Sequence, residues 1–194
     1  MNIFIVRHGE TEWNRIGLVQ GRADNPLNEN GILACKQLQT LFDQKEFQAL
    51  IMSPLRRTIH TGLILTENAI VEDYRLDPRI IEKDFGISDG KPIEERHLNY
   101  PNGHAPGEES YKLVRKRMIT AFKSYVKRYD KDILVISHGA AIAALMKEVS
   151  PEFDRTFVRL KNNSLTVLDG KTLEVKAFDL IGDEAAQWMK DNYK

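Results

Sequence analysis

The segment NIFIVRHGETEWN, residues 2–14, decides how the rest of the chain is read. Asn2–Val6 is a nearly continuous apolar run rich in β-branched residues, the pattern of a strand buried on both faces. It stops abruptly at Arg7, His8, Gly9 and Glu10, so a buried strand ends by presenting a guanidinium, an imidazole and a carboxylate. His8 has three possible roles: metal ligand, nucleophile, or polar residue where a strand leaves the core.

Two further runs, Ala49–Ser53 and Asp132–Ser137, have the same buried-strand character, and a weaker one lies near Ile70–Tyr74. Helical periods fill the intervals. Asn28 caps a helix with Leu33, Ala34, Leu38, Leu41 and Phe42 on one face. Glu109–Tyr129 places Tyr111, Val114, Met118, Phe122, Tyr125 and Tyr129 at helical spacing. Its opposite face carries Lys112, Arg115, Lys116, Lys123, Lys127 and Arg128 and reads as solvated. SLTVLDGKTLEVKAF is two strand patterns around Asp169–Gly170, a hairpin signal, and DEAAQWMKDNY closes the chain as a short helix packing Trp188 or Met189. This alternation predicts an α/β fold, a three-layer α/β/α sandwich with a mostly parallel central sheet, as a single domain over residues 1–194.

Composition narrows the function. The 194 residues carry 28 basic and 28 acidic side chains, which argues against a nucleic-acid binder driven by a global basic field. The single cysteine, Cys35, leaves no internal disulfide framework and suits a reducing compartment. With neither a leader-like N-terminus nor a long apolar run, the expectation is a soluble cytoplasmic protein with no membrane partner.

Ligands of parallel α/β sheets bind at the carboxyl ends of the strands. The three strong strands are followed there by Arg7-His8-Gly9-Glu10, by PLRRTIHT with Arg56 and Arg57, and by HGAAIAALM with His138 and Gly139. Fixed guanidinium charges beside imidazoles disfavour a divalent cation but suit phosphate oxygens. Gly9 and Gly139 are read as letting backbone approach the ligand, and helix N-termini as adding N–H donors. In such a site His8 can serve as a covalent nucleophile, since neighbouring cations favour neutral imidazole. The arginines and His138 would stabilise the transferring phosphoryl group, and one carboxyl would serve as acid and then base.

These residues resemble the histidine phosphatase superfamily, which includes the cofactor-dependent phosphoglycerate mutases. RHGETEWN (7–14) is similar to the family signature, and QGRADNPLNENG follows it with Gly21, Asp24, Pro26, Leu27 and Gly31 in the usual places. SPLRRT supplies Arg57 at the second arginine motif, IIEKDFG supplies Glu82, and ISHGAAI supplies His138. PGEES and NNS have counterparts around Glu109 and Asn163. The resemblance implies a phosphoglycerate mutase-like fold, phosphorylation of His8, a phosphoryl group held by Arg7, Arg57 and His138, and Glu82 as acid/base. It also places Asn14, Gln20, Gly21 and Gly139 at the phosphate or the substrate mouth, and it implies no metal or organic cofactor. Two departures stand out: Ser88–Asp89 replaces the usual Trp-Glu, and Glu108 replaces a glycine.

Other polar residues have plainer readings. Glu10 orients local backbone, His60 packs or lies at the surface, and Cys35 is a small residue near the core. His97 and His104 lie in a Pro/Gly-rich stretch of the 86–109 region that covers the site. The expected function is a metal-independent phosphatase acting on a small phosphorylated metabolite, as monomer or homodimer. A phosphoglycerate mutase using the same phosphohistidine is the main alternative. A catalytically inactive phosphate-binding module and a phosphoprotein phosphatase are two others.

Overall fold

The computed structural model describes residues 1–101, 104–153 and 160–193. In chain order the elements are β1 (Asn2–Arg7), α1 (Glu12–Arg15), α2 (Glu29–Gln39), β2 (Glu46–Phe47), β3 (Ala49–Met52) and α3 (Arg56–Leu65). Then come β4 (Ile70–Val71), β5 (Tyr74–Leu76), α4 (Ile93–Asn99), α5 (Tyr111–Arg128), β6 (Ile133–Ser137) and α6 (Gly139–Val149). The hairpin β7 (Leu165–Asp169) and β8 (Val175–Leu180) leads into α7 (Gly182–Asn192). Short 3-10 turns lie at Pro78–Ile80, Gly86–Ser88 and Pro151–Phe153.

The central sheet has the order β5-β3-β6-β1-β7-β8, with β7 alone antiparallel among the described strands. Side chains alternate across β1, so Ile3 and Ile5 enter one core while Phe4 and Val6 enter the other. On the first face Val114, Met118 and Phe122 of α5 and Ile142 and Leu145 of α6 cover the sheet. On the second, Leu38, Phe42, Leu65 and Met189 meet Phe4, Leu50 and Leu134, bringing α2, α3 and α7 into the other layer. Phe4 packs edge-on against Phe42 and Phe47 at 6.3 and 5.8 Å. Each such fully buried side chain contributes about 1.5–3 kcal/mol, which is why both faces read as continuous apolar runs. The architecture is the three-layer sandwich with a mostly parallel sheet.

Caps and turns explain where elements stop. Asn28 accepts the Gly31 N–H at 2.7 Å, and Ser110 caps α5 by accepting the Leu113 N–H. The Asp169 carboxylate accepts the N–H groups of Lys171 and Thr172 at 2.8 and 3.0 Å, which folds the β7–β8 connection back on itself.

Several boundaries and faces differ from the pattern. The weak run near Ile70–Tyr74 divides into β4, which pairs with β2 in a separate two-stranded sheet, and β5, the edge of the main sheet. On α2 the buried side is Gly31, Cys35, Leu38 and Gln39, and Leu33 is exposed. Tyr111 is also exposed, not in the core row of α5. The 86–109 stretch contains a helix, α4, that leaves no residue fully buried; Asn102 and Gly103 lie outside the described residues.

Register aligns the strand ends. Arg7 pairs with Ser137 and Met52 with Ile136, so His8, His138 and Ser53 follow three adjacent parallel strands at one level.

Candidate active site

At this rim the two imidazoles face each other with ring centroids 5.1 Å apart. His8 is 2% exposed and His138 fully buried. The Nδ1 of His8 lies 2.7 Å from its neighbour's carbonyl, Gly9 O, an acceptor, so Nδ1 carries the proton and Nε2 keeps a lone pair. The Nε2 of His138 is 2.7 Å from Ser53 Oγ, and its Nδ1 has no partner among the described residues.

Arg57 is fully buried at the start of α3. Its Nη1 donates to Ala23 O and its Nη2 to Gly21 O, each at 2.7 Å, while Nε has no partner among the described residues. Burial lowers the guanidinium to about 10, against the opposing fields of Glu82, Asp24 and Asp89. Its neighbour Arg56 instead lies at the surface, paired with Asp24. Arg7 donates to the Leu160 carbonyl, and a Cβ on Gly139 would sit 3.3 Å from Arg7 Nε. Gly139 thus makes room for a side chain.

Gly9 has a different reason from the one inferred. A Cβ there would lie 2.8 Å from Cys35 Sγ and 3.0 Å from Gly31 O, so glycine lets β1 pack on α2. The N-terminus of α6 also differs from expectation, because a carboxylate already occupies its amides. Glu82 accepts from Lys83 N at 2.8 Å, Ala141 N at 3.0 Å and Ala140 N at 3.1 Å.

A cleft of about 470 Å³ opens beside these groups. Arg7, Asn14, Gln20, Glu82 and Gly139 line it, together with Phe85 and Asn162 from the motif segments and Arg96, His97, Tyr111 and Lys161 from outside them. Asn162 ties it to the nucleophile candidate, donating to the His8 carbonyl at 3.0 Å and to Asn14 Oδ1 at 3.2 Å. Gln20 accepts from the Thr11 hydroxyl at 2.9 Å, and its buried Nε2 has no partner among the described residues. Gly21 does not line the cleft; its carbonyl braces Arg57. A larger hollow, about 760 Å³, follows edge strand β5 and the end of α5 and includes none of the motif residues.

Sequence reading missed the groups that hold this constellation in place. Asp89 accepts the N–H groups of Gly21 and Ala23 at 2.7 and 3.0 Å, so residues 21–23 are fixed between one carboxylate and the Arg57 fork. Thr61, one helical turn after Arg57, accepts the Gly9 N–H at 3.0 Å and donates to Arg57 O at 2.7 Å. The signals were present in part: Thr61 is at i+4 from Arg57, and Ser53 is a strand-end residue like the histidines. The Glu10 side chain accepts from Asn28 Nδ2 at 2.7 Å, so it steadies the side chain that caps α2 and is not bonded to backbone among the described residues.

Burial, then Arg57, holds both imidazoles well below the ordinary histidine value; Arg7 adds to this, and the Gly9 carbonyl opposes it at His8. The unfolded chain protonates histidine near about pH 6.5, so below that it binds protons that the folded state refuses. The stability is therefore complete above about pH 6.5 and declines as the pH falls, by up to about 1.4 kcal/mol per pH unit for each histidine. Thermal unfolding between pH 7 and 5 should show a falling Tm, with a shallower decline in His8→Asn. Identical slopes in the two proteins would contradict this coupling.

Residues 3–177 match the model of the histidine phosphatase superfamily, branch 1, and the chain belongs to that family. Among curated proteins it is 32% identical over 171 residues to an uncharacterized phosphatase, PhoE, of Bacillus subtilis, covering 86% of this chain and 87% of the relative. It is 30% identical over 183 residues to a probable phosphoglycerate mutase, GpmB, of Proteus mirabilis, covering 87% and 85%. Among solved structures, YhfR of Bacillus stearothermophilus shares the fold with a TM-score of 0.83 at 24% identity, over 93% of this chain and 98% of that one.

Proposed function

We propose that the protein is a metal-independent phosphatase that hydrolyses phosphomonoesters of small metabolites through a phosphohistidine on His8. The carrying observation is the buried His8 ring, with Nδ1 tied to the Gly9 carbonyl and its protonation depressed first by burial and then by Arg57 and Arg7. The family and the phosphatase relative support this reading.

In the first half-reaction the Nε2 lone pair attacks phosphorus, the P–O ester bond breaks, and the leaving oxygen takes a proton from Glu82. The phosphorylated ring keeps its Nδ1 proton, and the Gly9 carbonyl accepts that hydrogen bond and offsets the positive charge. In the second, water attacks phosphorus, Glu82 takes its proton, and the P–N bond breaks to restore neutral His8. Among the described residues Glu82 Oε2 accepts only from Ala140 N, which leaves a lone pair free to carry the proton, and Glu82 lines the cleft. Arg57 Nε and His138 Nδ1, buried donors without protein partners among the described residues, suit phosphoryl oxygens. For His138 this requires the Ser53 hydroxyl to donate to Nε2, placing the proton on Nδ1.

The test measures inorganic phosphate release from a panel of phosphomonoesters with and without a chelator, beside isomerisation of 3-phosphoglycerate. Release unaffected by chelator is expected. Chelator-sensitive release would overturn the metal-free mechanism, and isomerisation outrunning release would favour the mutase.

A further inference from the structure

Glu82 is asked to carry both proton transfers, yet residues 81–84 belong to no helix or strand. They run between the 3-10 turn Pro78–Ile80 and a lone bridge from Phe85 to Glu108. A general acid works only from a fixed position, and a displacement of about 1 Å can cost about 10² in rate. With no ladder to hold it, this backbone depends on side chains from other elements.

Most of that support comes from one ion pair. Arg117 lies on α5 next to Met118, which is buried against the sheet, and its Nη1 donates to the carbonyls of Arg79 and Ile81 at 2.8 and 2.5 Å. The Ile80 carbonyl between them accepts from Ser137 Oγ at 2.8 Å, one residue before His138. The far side of Glu82 is held by Glu109: its Oε2 accepts the Asp84 N–H at 3.3 Å, and its own N–H donates to the Asp84 carbonyl at 2.9 Å. The two clamps are joined to each other, because Arg117 Nε donates to Glu109 Oε1 at 2.9 Å and Nη2 to Oε2 at 3.1 Å. Arg22 Nη2 also reaches Oε2, at 3.4 Å. The pair therefore grips the chain at residues 79, 81 and 84, with Glu82 between the grips. Its side chains are only 17% and 12% exposed, and neither lines the cleft. The family resemblance marks Glu109 as a motif position without a role and does not mark Arg117.

We propose that Arg117, forked to Glu109, is a positioning residue that fixes Glu82 for proton transfer to the leaving oxygen. It acts through backbone and touches no substrate, so it governs how well the acid works and not what the cleft admits. A lysine cannot replace it, because an ammonium lacks the planar fork that meets two carbonyls and a carboxylate at once. This inference rests on the phosphatase reading, in which Glu82 is the acid.

The experiment measures kcat/KM for phenyl phosphate and p-nitrophenyl phosphate, which present the same ring but differ in how readily the phenolate departs without a proton. Glu82→Gln is the reference for a lost acid: it should lower the phenyl ester by about 10² or more and the nitrophenyl ester far less. Arg117→Met should show the same selective fall, and Arg117→Lys should lie between it and the wild type. The Arg117→Met and Glu82→Gln losses on phenyl phosphate should not add when combined, since both remove one function. Tm measured on each variant identifies the folded ones, and Arg117→Lys carries the test if Arg117→Met does not fold. An equal fall for the two esters, no fall at all, or full additivity in the combined variant would overturn the inference and leave the phosphatase reading standing. If Glu82→Gln lowers both esters alike, Glu82 is not the acid and the inference falls with that assignment. If the wild type releases phosphate from no ester, the phosphatase reading itself fails.

Discussion

His8→Ala should lower kcat for phosphate release by at least about 10⁴ and abolish any acid-labile phosphoenzyme trapped from a labelled substrate. The large effect follows from what remains after the substitution. Arg57, Arg7 and His138 still surround the phosphoryl position, so binding survives in part, but water would have to displace the ester oxygen directly. No second imidazole is set up to replace the lost one, because His138 Nε2 is engaged with Ser53 and, in the proposed arrangement, its Nδ1 carries the proton. The variant should fold, since among the described residues His8 makes a single side-chain hydrogen bond, to its neighbour's carbonyl. Turnover unchanged in a folded His8→Ala protein would refute the phosphohistidine mechanism outright.

The second large effect is expected at Arg57. Arg57→Ala should cost about 10²–10³ in kcat, the range for removing one preorganised donor from a transition-state cage. It should also lower Tm, because the Gly21 and Ala23 carbonyls lose the guanidinium fork that satisfies them. Arg57→Lys should restore little of either quantity. An ammonium keeps the charge but cannot reach two carbonyls and still present a third N–H to a phosphoryl oxygen. Vanadate affinity measured beside kcat separates the causes: both should fall in Arg57→Ala, whereas His8→Ala should weaken kcat far more than anion binding. Full activity in Arg57→Lys would show that charge alone suffices there.

Much of this arrangement was legible in the sequence because it depends on strands. Continuous apolar runs such as Ile3–Val6 and Ile133–Ile136 occur only where both faces are buried, and parallel strands then bring their following residues to one rim. The rim positions of Arg7, His8, Arg56, Arg57 and His138 could therefore be read from the strands, while the choice of Arg57 over Arg56 came from the family resemblance. What escaped reading has a different physical origin. α4 buries none of its residues completely, so no periodicity marks it. Leu33 is apolar yet exposed, and the buried row of α2 is instead set by the close approach of Gly31 and Cys35 to Gly9. Asp89, which the sequence marks only as a departure from the family, and Asn162 act through hydrogen bonds to groups 66 to 154 residues away, a separation that no local pattern encodes.

The two sides of the cleft have separate origins in the chain. Arg7, His8, Arg57 and His138 are anchored to strand ends and helix starts of the central sheet, while Phe85, Ile93, Arg96 and His97 all come from the single excursion between β5 and α5, with Tyr111 at the start of α5. That excursion meets the chemical centre chiefly through Glu82 at α6 and Asp89 at residues 21–23. The two sides are accordingly separable in inheritance: an exchange of this one segment that keeps the two carboxylate anchors should alter what the cleft accepts while leaving the groups at the strand ends in place.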